Sequence, residues 1–89
     1  FNTRILIAED EAEIRNLIVL HLKREGFATE VAENGEKAVE LLSQHSYDLV
    51  ILDWMLPIKS GVEIVRWLRN QKHHRATNVL FVTARSNPE

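Results

Sequence analysis

Cysteine, long apolar runs and an excess of positive charge are all absent from this 89-residue sequence. Without cysteine, disulfide bridges and thiolate metal sites are excluded. No apolar run approaches the roughly 20 residues that span a bilayer, so no membrane segment or membrane partner is expected. The formal net charge of −2 argues against direct binding of nucleic acid by this segment. The lack of cysteine fits a cytoplasmic location.

The length and composition are those of one ordinary globular domain. The 89 residues are enough for one domain and too few for two. The sequence is 45% hydrophobic and 27% charged, which is typical of a soluble globular protein. It begins without methionine and leads directly into an apolar segment, so we expect a trimmed or processed chain with no signal peptide.

The spacing of hydrophobic residues alternates along the sequence between a pattern typical of strands and one typical of helices. Apolar or alternating segments predict strands at residues 4–8, 28–32, 47–54 and 78–83. Helical spacing predicts helices over residues 11–25, from Asn34 to His45, and from Ser60, where Ser60 and Glu63 match a capping box. The predicted inner faces comprise Ile14, Leu17, Ile18 and Leu22, then Ala38, Leu41, Leu42 and His45, then Ile64, Val65 and Leu68. Gly26 stands where the first helix should end.

This alternation of strands and helices predicts a doubly wound α/β fold. Its sheet should be parallel, with right-handed crossovers, helices on both faces and strand order 2-1-3-4. The fourth strand is strongly apolar, and an exposed apolar edge favours pairing with another molecule. We therefore expect that the natural protein continues with another strand and helix, or that a partner covers this edge. Residues 84–89 should form a loop or a first helical turn.

Acidic residues follow two strands that should be neighbours. Glu9 and Asp10 follow the first strand, and Asp53 ends the third. Ligands of doubly wound sheets bind beyond the carboxyl ends of the strands, so these three carboxylates should meet there. Such a cluster is unfavourable unless a cation neutralises it. Mg²⁺ prefers oxygen ligands, so we expect Asp10 and Asp53 to bind it directly and Glu9 to act through water.

A carboxylate beside Mg²⁺ can also attack phosphorus and form an aspartyl phosphate, which is the chemistry expected of Asp53. Thr83 ends the fourth strand, and its hydroxyl should reach a phosphoryl oxygen. The small side chain of Ala84 leaves its main-chain N–H accessible to the same group.

Three separated motifs resemble the receiver domain of two-component response regulators, across the whole chain. They are Ile-Ala-Glu9-Asp10-Glu, Leu-Asp53-Trp-Met55-Leu-Pro with Gly61, and Val-Thr83-Ala84-Arg. The pattern is most similar to the subclass that carries a winged-helix DNA-binding domain. The resemblance implies a flavodoxin-like fold, and phosphorylation of Asp53 by a sensor histidine kinase.

The resemblance also implies the remaining parts of the site. Mg²⁺, or Mn²⁺ in its place, would be bound by Asp10, Asp53, the main-chain carbonyl of Met55, and Glu9 through water. Thr83 would be the switch hydroxyl, and Met55 and Arg85 would tune access to the phosphate. An output domain that binds DNA and a homodimer are further implied partners.

The sequence departs from the receiver pattern at its end. Receiver domains continue into a fourth helix, a fifth strand ending in lysine, an aromatic switch residue and a fifth helix. None of these is found in residues 1–89, which we therefore expect to be a receiver domain that is incomplete at its C-terminus. The fragment alone should be phosphorylated poorly.

Other interpretations compete with this one. Asp10 could cap the first helix, Trp54 could pack or line the site, and Thr83 could be an ordinary strand residue. Residues 72–75 are expected to be a solvated helix end rather than a metal site. Alternative functions are a Mg²⁺-dependent phosphotransferase or nuclease, which lacks its usual Asp-x-Asp pair here, and a phosphorylation-independent interaction module. A nucleotide-binding domain is disfavoured because no Gly-rich loop follows the first strand.

Overall fold

Four parallel strands form one sheet in a computed structural model that describes residues 3–56, 58–74 and 76–82. The strands are β1 (Arg4–Ala8), β2 (Ala28–Ala32), β3 (Leu49–Asp53) and β4 (Asn78–Val82). The helices between them are α1 (Ala12–Arg24), α2 (Gly35–Gln44), α3 (Gly61–Arg69) and a short 3₁₀-helix (Lys72–His74). The strand order is β2-β1-β3-β4, which confirms the predicted doubly wound arrangement.

Helices cover both faces of this sheet, so its central strands are buried on both sides. Successive side chains of a strand point to opposite faces, which divides the core into two clusters. On one face β1 and β3 pack against α2 and α3, through Leu6, Ala8, Val50, Leu52, Leu42, Ile64 and Leu68. On the other face they pack against α1, through Ile5, Ile7, Ile51, Ile18 and Leu22. The unbroken apolar runs in the sequence thus correspond to strands covered on both faces.

Helices α2 and α3 begin where the sequence carries capping residues, as predicted. The Asn34 side chain accepts a hydrogen bond from the Lys37 N–H at 2.8 Å and caps α2. At α3, the Ser60 hydroxyl and the Glu63 carboxylate each bond the other residue's main-chain N–H, which confirms the capping box. These bonds satisfy main-chain donors that a helix start leaves without partners.

Two inner-face predictions for the helices are wrong. Leu17 is 55% exposed, because the buried side of α1 is centred on Ile18 and Leu22 instead. His45 is exposed because α2 ends at Gln44, and His45 caps it in an extended conformation.

The predicted solvated helix end at residues 72–75 is also partly wrong. Lys72 and His73 are exposed, but His74 is fully buried. Both ring nitrogens of His74 have hydrogen-bond partners, so the polar ring can be buried at this position. Arg75 lies outside the described residues.

β4 forms one edge of the described sheet, as the predicted order requires. Leu80 is 50% exposed and Phe81 38% exposed on this strand. The predicted strand end, Thr83, lies outside the described residues. Among the helices in the described part of the chain, none is long and apolar enough to cross a membrane.

Candidate metal centre

Three carboxylates meet at the carboxyl end of the two central strands. β1 and β3 are paired so that Ala8 lies opposite Leu52, and the next residues along the two chains are Glu9 and Asp53. Each of Glu9, Asp10 and Asp53 offers one oxygen, and these oxygens all lie within 4.8 Å of one another. Glu9 and Asp53 are buried, whereas Asp10 is partly exposed. The structure therefore brings together the three acids that the sequence assigned to this edge.

Glu9 is held by main-chain and side-chain contacts, except at one oxygen. Its N–H donates to the Ala32 carbonyl at 3.0 Å, and its own carbonyl accepts from Arg15 Nη1 at 3.0 Å. Its Oε2 accepts a hydrogen bond from the Glu11 N–H at 3.0 Å. Its Oε1 is buried and accepts no hydrogen bond from the residues that the structure describes. A buried carboxylate oxygen without a donor is costly, and a cation would satisfy it.

Burial and like charges together disfavour the ionised form of Glu9. Desolvation is the main cause that raises the pKa of Glu9 above its ordinary value. The Glu11 N–H opposes this rise, and the nearby charges of Asp53 and Asp10 add to it. Three oxygen ligands in this setting fit a hard divalent cation such as Mg²⁺ or Mn²⁺.

The chain turns sharply after Asp53, and its carboxylate takes part in the turn. Asp53 Oδ1 accepts a hydrogen bond from the Met55 N–H at 3.2 Å, while the Met55 side chain is exposed. Gly61 donates its N–H to the Trp54 carbonyl at 3.2 Å. A Cβ on Gly61 would lie 2.9 Å from the Asp53 carbonyl oxygen, closer than real Cβ contacts. Glycine at this position thus lets the start of α3 approach the end of β3.

The structure bears on the alternative roles considered for Asp10 and Trp54. α1 begins at Ala12 with Glu11 as its N-cap, so the interpretation of Asp10 as the cap is wrong. The Trp54 ring is half exposed and packs edge-on against Phe81, with ring centroids 5.0 Å apart. It lines a groove of about 440 Å³ together with Val62, Val65, Arg66, Arg69 and Phe81.

The other predicted site residues follow β4. Val82 is paired with Asp53 in the β3–β4 register. Thr83 and Ala84, predicted to contact the phosphoryl group, come next in the sequence and lie outside the described residues, as do Pro57 and Arg85.

Sequence reasoning missed Arg15, which contacts the site through the Glu9 carbonyl. From the sequence, Arg15 is expected to be one of the charged residues on the solvent-facing side of an amphipathic helix. Its hydrogen-bond acceptor is a main-chain atom, which has no residue-type signature. No pattern in a single sequence could therefore have indicated the contact.

The comparisons with known proteins agree with this geometry. Residues 5–89 match the family described as the response regulator receiver domain, and the chain belongs to this family. It is 41% identical over 83 residues to the transcriptional regulatory protein ResD of Bacillus subtilis (strain 168). This match covers 93% of the chain and 33% of ResD. It is 40% identical over 86 residues to the phosphate regulon transcriptional regulatory protein PhoB of Escherichia coli (strain K12), covering 97% of this chain and 38% of PhoB.

A solved structure supports the same assignment. The response regulator protein TrrA from Thermotoga maritima, in complex with Mg²⁺ and BeF, has a TM-score of 0.86 and 39% identity to this chain. The match covers 94% of this chain and 71% of TrrA. The predicted flavodoxin-like fold and the resemblance to receiver domains of transcription regulators are thus confirmed. The chain spans only about a third of the length of ResD and PhoB.

Proposed function

We propose that this chain is the phosphorylation-controlled switch of a two-component system and that Asp53 accepts the phosphoryl group. The observation that carries the proposal is the convergence of carboxylate oxygens from Glu9, Asp10 and Asp53 within 4.8 Å at the carboxyl edge of the sheet. Membership of the receiver family, a signalling family, favours this function over a phosphotransferase or nuclease.

A divalent cation, Mg²⁺ or Mn²⁺, is the cofactor that we propose for this site. Asp10, Asp53 and the Met55 main-chain carbonyl would hold it directly, and Glu9 through water. When bound, the cation would offset the negative charge of the acids and of an incoming phosphoryl group. The buried Oε1 of Glu9, which accepts no hydrogen bond from the described residues, supports this proposal, as does the Mg²⁺–BeF complex of the related TrrA.

In the proposed reaction, an Asp53 carboxylate oxygen attacks phosphorus of a phosphohistidine on the kinase. An O–P bond forms while the N–P bond breaks, and the histidine leaves with the electron pair. The Met55 N–H, 3.2 Å from Asp53 Oδ1, would keep the carboxylate oriented during the attack. The Thr83 hydroxyl and the Ala84 N–H are proposed to hold the phosphoryl oxygens.

The partners follow from the same proposal. A sensor histidine kinase would supply the phosphoryl group. Because ResD and PhoB are transcriptional regulators about three times as long, we propose that residues 1–89 form part of a receiver domain whose natural protein continues into a DNA-binding output domain. Homodimer formation and a cytoplasmic location complete the proposal.

Phosphorylation of the natural protein that contains these residues would test the function. We expect acetyl phosphate with Mg²⁺ to add one phosphoryl group, which hydroxylamine removes as it does other acyl phosphates. Asp53→Asn should abolish the mass increase. Asp48→Asn is the matched control, because Asp48 lies just before the opposite end of β3 and bonds the Arg4 N–H, away from the acidic cluster.

Equal labelling of the Asp53→Asn protein and its parent would refute Asp53 as the acceptor. A label that resists hydroxylamine would refute an aspartyl phosphate altogether.

A further inference from the structure

The side chain of Arg15 reaches from the first turn of α1 to the end of β1. α1 begins at Ala12, so Arg15 is its fourth residue. Its Nη1 donates to the Glu9 carbonyl at 3.0 Å, and the contact is partly buried. A basic side chain in the first turn is unfavourable for the helix itself, because the N-terminal end of the helix dipole is positive. Helix stability therefore does not explain an arginine at this position.

The Arg15 contact lies on the peptide that joins two of the three acids. The Glu9 carbonyl belongs to the same planar unit as the Asp10 N–H. A bond to this carbonyl therefore limits rotation of the backbone on which both Glu9 and Asp10 are carried. The other hydrogen bonds described for Glu9 involve the main chains of Ala32 and Glu11. Arg15 thus adds a side-chain contact to these main-chain bonds.

We propose that Arg15 is a positioning residue for the metal centre: its bond to the Glu9 carbonyl keeps the Glu9 and Asp10 carboxylates directed toward the cation. This inference rests on the proposed function, since it assumes that the acidic cluster binds Mg²⁺. Residues that orient metal ligands typically change metal affinity by 10-fold to 100-fold when they are replaced.

Mg²⁺ titrations followed by tryptophan emission would test this role. Trp54 directly follows Asp53, and Trp67→Phe removes the other tryptophan of residues 1–89. In this background we expect Arg15→Met to weaken Mg²⁺ affinity about tenfold. Arg15→Lys should show an intermediate affinity, because an ammonium group can bond the carbonyl but lacks the planar fork of a guanidinium group.

Two control variants separate positioning from charge and from stability. Arg24→Met removes the same charge from the last residue of α1, about 14 Å along the helix from Arg15, and should leave the affinity unchanged. His74→Leu disturbs a buried contact with the C-terminal end of α2, and this end lies away from the carboxyl edge of the sheet. It should lower the stability without lowering the Mg²⁺ affinity.

The outcomes distinguish this inference from the proposed function. If the parent binds no Mg²⁺, the metal centre itself is refuted. If the parent binds Mg²⁺ and Arg15→Met binds it equally well, only the role of Arg15 is refuted. An equal loss of Mg²⁺ affinity in Arg24→Met would show that the effect comes from net charge, and this result would also refute the role of Arg15. If Arg15→Met does not fold, the Mg²⁺ affinity of Arg15→Lys is the deciding measurement. An affinity equal to that of the parent would then refute the inference.

Discussion

His74 Nε2 lies 2.6 Å from the main-chain oxygen of Leu42, and this contact ties the segment before β4 to the last turn of α2. Carbonyl groups in the last turn of a helix lack partners within the helix, so the ring satisfies one of them. The other ring nitrogen, Nδ1, lies 3.0 Å from the Thr77 hydroxyl. Arg69 Nη1 donates to the carbonyls of His74 and Thr77, which completes a network of polar contacts around the ring.

Replacing His74 by leucine should destabilise the protein. The change places an apolar side chain in the buried position and removes the ring from the Leu42 carbonyl and the Thr77 hydroxyl. The loss should be about 2 kcal/mol in the free energy of unfolding, measured by urea denaturation. The same change at His21, which is exposed on α1, should have an effect below about 0.5 kcal/mol. Equal stability of the parent and His74→Leu would contradict this account.

Stability should also depend on pH through His74. Burial lowers the pKa of His74, the bond to the Leu42 carbonyl opposes this, and the neighbouring His73 and Arg69 lower the pKa further. In the unfolded chain the ring titrates near its ordinary pKa of about 6.5. Below that pH the unfolded state binds more protons than the folded state, so the free energy of unfolding falls as the pH decreases.

The measurement compares the parent with His74→Leu by urea denaturation between about pH 8 and pH 5. The stability advantage of the parent should be greatest at the alkaline end and should shrink below about pH 6.5. A constant difference across this range would show that His74 is not the titrating group.

Asp53→Asn should change stability in opposite directions with and without Mg²⁺. Without the ion, the substitution removes one of three clustered negative charges and should raise the free energy of unfolding. With Mg²⁺ at a hundred times the parent's Kd, the parent should gain about 2.7 kcal/mol and the variant less. Thermal unfolding with and without Mg²⁺ measures both effects. A variant that is less stable without the ion would argue against charge repulsion in the cluster.

Gly35 lies against the loop between β3 and α3, and an alanine there should be destabilising. A Cβ at this position would lie 2.3 Å from the Lys59 carbonyl oxygen, so the backbone must shift. Alanine normally favours a helix over glycine by about 1 kcal/mol, but overpacking of this kind costs about 1–3 kcal/mol. We expect Gly35→Ala to lower the free energy of unfolding by about 1–2 kcal/mol.

Glu36→Ala is the control for this change, since Glu36 is the exposed next residue of α2, and it should have little effect. A stabilised Gly35→Ala protein would show that the two segments do not approach so closely.

Much of the fold could be predicted because it depends on local and periodic signals. The apolar runs around Leu6 and Val50 define strands covered on both faces, and the Ser60–Glu63 pair defines the start of α3. The acidic cluster was predictable because the ends of parallel strands meet at one edge of the sheet. The roles of the individual site residues stay predictions.

The errors concern residues whose environment is set by distant parts of the chain. His74 follows charged and polar residues, and nothing local indicates that Leu42 accepts its hydrogen bond. Leu17 fits a helical apolar stripe, but the position of α1 on the sheet leaves it outside the core. Periodicity gives the direction of a side chain relative to its own helix and not the extent of the surface that covers it.

The pairing of Ala8 with Leu52 has a consequence for copies that have not finished folding. Asp53 follows Asp10 by 43 residues in the sequence, so Glu9, Asp10 and Asp53 become neighbours only after the two central strands have docked in the correct register. A nascent or damaged copy would carry the same acids dispersed in water, with nothing to gather them. If the proposed phosphorylation at this cluster is correct, only correctly folded copies could accept the phosphoryl group, and immature copies would stay silent without a separate inhibitor.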